Sequence, residues 1–151
     1  MKKIMFVCHG NICRSPMAEM IFKKMLADRG LSANFTVRSS ATSTEAIGEG
    51  IYPPARRELA RRGIPMENRR AVQLRRSDYG EYDLFLCMDS RNIRNINMIF
   101  GGDPDGKVMR LLDLTERCGD VADPWYTGDF TAAYDDILRG CEALFEYLLK
   151  R

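Results

Sequence analysis

The segment Val7-Cys8-His9-Gly10-Asn11-Ile12-Cys13-Arg14-Ser15-Pro16 follows directly on the apolar run Ile4-Met5-Phe6-Val7. Residues from Lys3 to Val7 read as a short buried strand. Downstream, Met17, Met20, Ile21 and Met25 recur at roughly helical spacing between Pro16 and Asp28, ahead of Gly30. The unit is strand, tight loop, helix, and its repetition along the chain decides the fold. A second strand is expected from Asn34 to Arg38, followed by a Ser/Thr-rich loop from Ser39 to Thr44. Pro53-Pro54 suits the first turn of a helix that continues through Ala55 to Arg62 and closes at Gly63. The nearly all-apolar run Leu84-Phe85-Leu86-Cys87-Met88 fits a central strand of a parallel sheet covered on both faces. Asp89-Ser90 supplies a helix cap for a run to about Ile99. After the turn cluster from Gly101 to Gly106, a short strand is expected from Lys107 to Leu111 and a long amphipathic helix from Asp129 to Lys150. Strands alternating with helices imply right-handed crossovers. The prediction is a single α/β domain over residues 1–151, three-layered, with a four-stranded parallel sheet and helices on both faces. Ligands of such sheets collect at the carboxyl ends of the strands, which is where Cys8 falls.

At 151 residues and 45% hydrophobic composition, the chain supports one proper core. The four apolar residues before Cys8 are far short of a secretory core, and no stretch approaches membrane-spanning length, so a cytoplasmic protein that stays off the membrane is expected. Five cysteines at irregular spacing read as thiols rather than a disulfide framework. The net charge of +2 hides an asymmetry: residues 1–76 hold 15 Lys and Arg against 6 Asp and Glu, and residues 77–151 hold 8 against 15. A basic half steers anionic substrates. Arg56-Arg57, Arg61-Arg62, Arg69-Arg70 and Arg75-Arg76 have no aromatic platform interleaved with them, so nucleic acid is not the expected partner.

The spacing inside the opening segment carries the chemistry. A loop this short must curl tightly, bringing its backbone amides together near a helix N-terminus as a cradle for a tetrahedral oxyanion. Gly10 and Asn11 are the residue types that best tolerate the positive φ of such a curl. Arg14 closes the cradle with a planar fork. The same amides, dipole and guanidinium favour a thiolate at Cys8, since such surroundings bring a thiol from ~8.5 to roughly 3.5–7.5. Ser15 is placed to donate a hydroxyl hydrogen bond to that sulfur when it leaves. A Cys-x4-Cys pair could instead be half a metal site. With one histidine in the chain and Pro16 where an iron–sulfur spacing needs a third cysteine, the ligands run out, and neither metal nor cofactor is expected. Taken singly, Cys8 or Cys13 would read as a small buried hydrophobe; the joint occurrence with Gly10, Asn11, Arg14 and Ser15 argues for the nucleophile.

The same ten residues resemble the signature of the low-molecular-weight protein tyrosine phosphatases. The resemblance extends to Ser39-Ser40-Ala41-Thr42-Ser43, to Met88-Asp89-Ser90-Arg91-Asn92, to Asp123-Pro124-Trp125-Tyr126 and to the chain length. It implies hydrolysis of protein phosphotyrosine and aryl phosphates through a phosphocysteine on Cys8. Arg14 would stabilise the transition state and Asp123 would act as general acid and then general base. His9, Gly10, Asn11, Ile12, Cys13 and Ser15 would surround the phosphate, with Asn11 and Ser39 as a loop-ordering pair. Trp125 and Tyr126 would wall the slot for the substrate ring, although a tryptophan read alone fits a core equally well. Cys13 would trap oxidised Cys8 as a disulfide. Cys87, Cys118 and Cys141 take the structural reading, and His9 a place at the pocket rim. Phosphotyrosine proteins are the implied partners, inorganic phosphate and other oxyanions the implied inhibitors, and a monomer the expected state.

One departure concerns the loop after the second strand. Many family members carry an aromatic there, where this chain has Thr44-Glu45-Ala46-Ile47. Phosphoarginine phosphatases of the fold have threonine where Ile12 stands, so Ile12 favours tyrosine. Arsenate reductases of the fold need a second cysteine beyond Cys87, where Asn92, Ile93, Arg94 and Asn95 offer none. A phosphate-binding module without turnover would have lost its nucleophile or acid, and both residues are present.

Overall fold

Residues 1–150 are described by a computed structural model. In chain order its elements are β1 (Lys2–Cys8), α1 (Arg14–Asp28), β2 (Phe35–Ala41), α2 (Pro53–Arg61), α3 (Asp78–Glu81), β3 (Leu84–Cys87), α4 (Ser90–Phe100), β4 (Val108–Arg110), α5 (Pro124–Thr127) and α6 (Phe130–Leu149). The strands form one parallel sheet in the order β2-β1-β3-β4. Side chains alternate along each strand, and both faces are apolar. Ile4, Phe6, Leu84 and Leu86 share one core with Met17, Ile21 and Phe22 of α1 and Ile137, Cys141 and Leu144 of α6. Met5, Val7, Phe85 and Cys87 form the opposite core with Ile96 and Phe100 of α4. This is the expected three-layer α/β arrangement. Phe22 centres the larger core, with edge-to-face contacts to Phe6, Phe35 and Phe145 at 5.9, 6.3 and 6.4 Å.

Several local features depart from the sequence-based expectation or add to it. Strand β2 runs on through Ser39 and Ser40 to Ala41, where a loop was expected, because these residues pair in register with Phe6, Val7 and Cys8 of β1. Helix α1 starts at Arg14, two residues before Pro16, because the Met17 amide donates to the Cys13 carbonyl at 3.1 Å and closes a first turn around the arginine. Pro16 is tolerated there because the first-turn N–H groups lack helical partners in any case. Strand β4 stops at Arg110 because Leu111–Leu114 tightens into a single 3-10 turn. The stretch after α2 runs without helix or strand past the edge of β2, where Ala41 and Val72, and Leu74 and Ala41, exchange backbone hydrogen bonds of 2.8 Å. That pairing shields an otherwise open sheet edge.

Candidate active site

At the end of β1 the chain turns through residues 9–13 into α1. Asn11 takes a φ of 59°, the one positive value at a non-glycine residue among those described. Such a conformation costs about 1–2 kcal/mol and suits asparagine best after glycine. Gly10 does not share it, and a Cβ at Gly10 would lie 3.7 Å from Ile12 Cγ1. The left-handed turn thus rests on Asn11 alone. Asn11 is fully buried. Its Oδ1 accepts from Arg69 Nη2 and from the Val72 amide at 3.2 Å, while its Nδ2 donates to Ser15 Oγ at 2.7 Å. Both partners of Oδ1 only donate, which fixes the orientation of the amide.

Around Cys8, the Ser15 amide lies 3.4 Å from the sulfur and Ser15 Oγ lies 3.0 Å from it. Because Asn11 donates into the serine oxygen, the serine's own hydrogen is free to point at the sulfur. Helix α1 has no side-chain cap and no acidic residue in its first turn, whereas α4 and α6 are capped by Asp89 and Asp129. The amides of residues 10–14 donate to no acceptor among the described residues. An uncapped positive helix end with unclaimed amides has the chemistry to hold an anion.

Arg14 is 2% exposed. Its Nη1 donates to Asp89 Oδ2 at 2.7 Å and to the Val121 carbonyl at 2.8 Å, and its Nη2 lies 3.4 Å from Asp123 Oδ2. Both Nη1 hydrogens are engaged, so the edge formed by Nε and Nη2 remains for a bidentate acceptor. Burial alone would lower the Arg14 pKa; Cys8, Asp89 and Asp123 outweigh it and the group ends raised, firmly charged. Asp89 therefore has two functions. Its Oδ1 caps α4 through the Asn92 amide at 2.8 Å, and its other oxygen orients the arginine. The cap was legible in the sequence; the contact with Arg14, 75 residues away, had no local signal.

Asp123 caps the one-turn helix α5 by accepting from the Trp125 amide at 3.0 Å, and its side chain is 25% exposed. Trp125 and Tyr126 are exposed, which excludes the core reading of the tryptophan. The Tyr52 ring backs Trp125 at 4.8 Å between centroids. Trp125, Tyr126 and Asp123 line a cavity of about 200 Å³ together with Glu45, Ala46 and Glu49, over a floor of Cys8, Ile12, Cys13 and Arg14. His9 sits at the rim, with Nε2 donating to Glu45 Oε2 at 2.8 Å and Nδ1 buried without a partner among the described residues. Burial, then the neighbouring Cys8 and Asp123, push the Cys13 thiol up to about 12 against the opposing pull of Arg14.

Ser39 is not joined to Asn11. Its hydroxyl donates to Glu19 Oε1 at 2.5 Å, and the side chain that reaches Asn11 from outside the loop is Arg69, for which the sequence carries no local signal. Cys87 and Cys141 are buried, and burial raises both thiols. Cys118 is exposed, contrary to the structural reading.

The sequence model of the low molecular weight phosphotyrosine protein phosphatase family matches residues 3–151, and the chain belongs to that family. It is a protein-tyrosine-phosphatase by this membership. It is 36% identical to the low molecular weight protein-tyrosine-phosphatase YfkJ of Bacillus subtilis, over 99% of this chain and 97% of that protein. The human low molecular weight phosphotyrosine protein phosphatase is likewise 36% identical, over 96% and 94%. The crystal structure of YfkJ superposes with a TM-score of 0.96, covering 99% of this chain and 96% of that one. That of the YwlE arginine phosphatase with a phosphorylated active-site serine does so at 0.86, with 32% identity and coverage of 98% and 96%.

Proposed function

We propose that this chain hydrolyses protein phosphotyrosine through a phosphocysteine on Cys8. The observation that carries the reading is the Cys8 sulfur set at the uncapped N-terminus of α1 within one cavity with the buried Arg14 and with Asp123. The phosphoryl group lies in the cradle, its equatorial oxygens on the amides of residues 10–14 and on the Nε and Nη2 edge of Arg14. Cys8 Sγ attacks phosphorus opposite the phenolate oxygen, the S–P bond forms as the P–O bond breaks, and protonated Asp123 delivers its proton to the leaving phenolate. Asp123, now ionised, takes a proton from water, which attacks phosphorus in turn. The sulfur leaves as a thiolate that accepts the Ser15 hydroxyl hydrogen. Donors fixed before the reaction, rather than recruited during it, stabilise the charge on the transferring group. Trp125 and Tyr126 take one face of the ring, and apolar Ile12 in the floor suits an aryl ester.

The likeness to YwlE supports phosphoarginine as the alternative substrate. The deciding measurement is kcat/KM on phosphotyrosine and phosphoarginine peptides of one sequence, under reducing conditions. Phosphotyrosine is expected to lead, and a lead for phosphoarginine would reverse the assignment. Cys8→Ser should abolish turnover, and loss of p-nitrophenyl phosphate hydrolysis only through contaminant removal, with Cys8→Ser unchanged, would reject the mechanism. Asp123→Asn should slow poor leaving groups by about 10²–10⁴-fold and good ones far less. Equal effects on both would remove Asp123 from the acid role.

The same reading places the protein in a reducing cytoplasm as a monomer, with all five cysteines free, and makes its activity redox-gated. Peroxide converts the Cys8 thiolate to a sulfenic acid; the Cys13 sulfur then attacks Cys8 Sγ, and the oxygen departs as water with the Cys13 proton. Mass spectrometry after mild peroxide should find the Cys8–Cys13 disulfide. Cys8 sulfonate without that linkage would count against it.

A further inference from the structure

Six acidic residues lie in the basic half of the chain, residues 1–76. Four have a cation, as Glu19 and Glu67 share Lys23, Asp28 meets Lys24 and Glu58 meets Arg61 and Arg62, and a fifth, Glu45, accepts a hydrogen bond from His9. The Glu49 carboxylate has no partner among the described residues, and it lines the active-site cavity beside Glu45. Its backbone is well held. Thr42 and Ser43 amides donate to the Cys8 and His9 carbonyls at 2.9 and 3.1 Å, Gly48 donates to Ala71 at 2.9 Å, and Ala71 donates to the Glu49 carbonyl at 2.7 Å. Arg70, at the same ledge, gives Nη1 to the Gly48 carbonyl at 2.9 Å rather than to the carboxylate.

An unneutralised carboxylate at the rim of a cavity whose floor is built for a phosphoryl dianion opposes phosphate on its own. The opposition is relieved when the substrate brings a cation to the same wall. Glu45 is already engaged by His9 at 2.8 Å, so an incoming ammonium or guanidinium meets its free acceptor at Glu49. The exposed Trp125 and Tyr126 line the same cavity; with the phosphorylated ring against these aromatics, the exposed Glu49 is left to the residues that flank it. Resting on the phosphotyrosine reading above, we propose that Glu49, with Glu45 beside it, is a specificity determinant that selects phosphotyrosine sites with an adjacent lysine or arginine.

The test uses phosphotyrosine peptides identical except for lysine, alanine or glutamate at the flanking positions, with p-nitrophenyl phosphate as a substrate that has no flank. The lysine peptide should exceed the alanine peptide by roughly 3- to 10-fold in kcat/KM at low salt, and the ratio should shrink at about 0.5 M salt, as expected for exposed charge pairs. In Glu49→Gln the ratio should fall toward one, and in Glu49→Lys the glutamate peptide should gain. A ratio of one in the wild type, or a ratio unchanged by Glu49→Gln, overturns the proposal. So does a preference for glutamate, which would move recognition to the exposed Arg91, a residue that lines a second cavity with Arg14 and Asp123. Failure on p-nitrophenyl phosphate would instead count against the catalytic reading, and the same peptide ratios measured as Kd on Cys8→Ser would still decide the role of Glu49.

Discussion

Arg69 reaches Asn11 from 58 residues away and donates to the oxygen that holds the loop in its left-handed turn. Burial lowers its pKa, and Glu19 and Cys8 act in the opposite direction, so its cation contributes to the field around the sulfur. Replacing it by leucine would remove both the charge and one of the two donors on Asn11. Arg69→Leu is expected to lower kcat/KM by about 10- to 100-fold, the range for a small misplacement of catalytic groups. A kcat/KM equal to that of the wild type would reduce Arg69 to a packing role. Among the other thiols, the exposed Cys118 should be alkylated near neutral pH without loss of activity, whereas buried Cys87 and Cys141 should not react until the protein unfolds.

Helices α4 and α6 carry two separable effects. At Asp89, helix capping and arginine positioning use different oxygens. Asp89→Asn retains a cap acceptor and loses the charge facing Arg14, so the expected result is a stability change below about 1 kcal/mol together with a clear fall in kcat. Asp89→Ala should lose both, which urea denaturation and steady-state kinetics together would separate. Gly140 lies inside α6, where glycine normally costs about 1 kcal/mol relative to alanine. Here a Cβ would meet Leu111 Cγ at 2.4 Å and Cδ2 at 2.8 Å. Gly140→Ala should therefore destabilise, by about 1–3 kcal/mol as overpacking does, and a raised urea midpoint would show that the 3-10 turn yields instead. The glycine is what lets that turn lie against the helix.

For the whole molecule, the buried thiols set an alkaline limit. In the folded state Cys13 holds its proton from about 9 up to about 12, and Cys87 and Cys141 are raised further by burial. Below pH 9 folded and unfolded chains both bind these protons, and stability does not depend on them. Above it the unfolded chain releases protons that the folded one keeps, so stability falls as pH rises, at about 1.4 kcal/mol per unit for each thiol. The urea midpoint should drop between pH 9 and 11, and Cys13→Ala should flatten that slope. A slope equal to that of the wild type would show that Cys13 ionises freely in the fold.

The periodicities of the chain determined the layer order by themselves. Apolar strands alternating with amphipathic helices have few other ways to bury their faces, so the sheet, the crossovers and the position of Cys8 at a strand end were all readable. The tight turn from β1 into α1 was readable too, because its residues lie within ten positions and act through local backbone geometry. Tertiary structure alone decided what surrounds it. Asp89 and Val121 turn Arg14, Arg69 rather than Ser39 steadies Asn11, Tyr52 backs Trp125, and Glu49 is left without a cation among the described residues. These pairings join segments tens of residues apart, and no local propensity encodes them, because side chains that far apart meet only after the sheet has fixed where each loop ends.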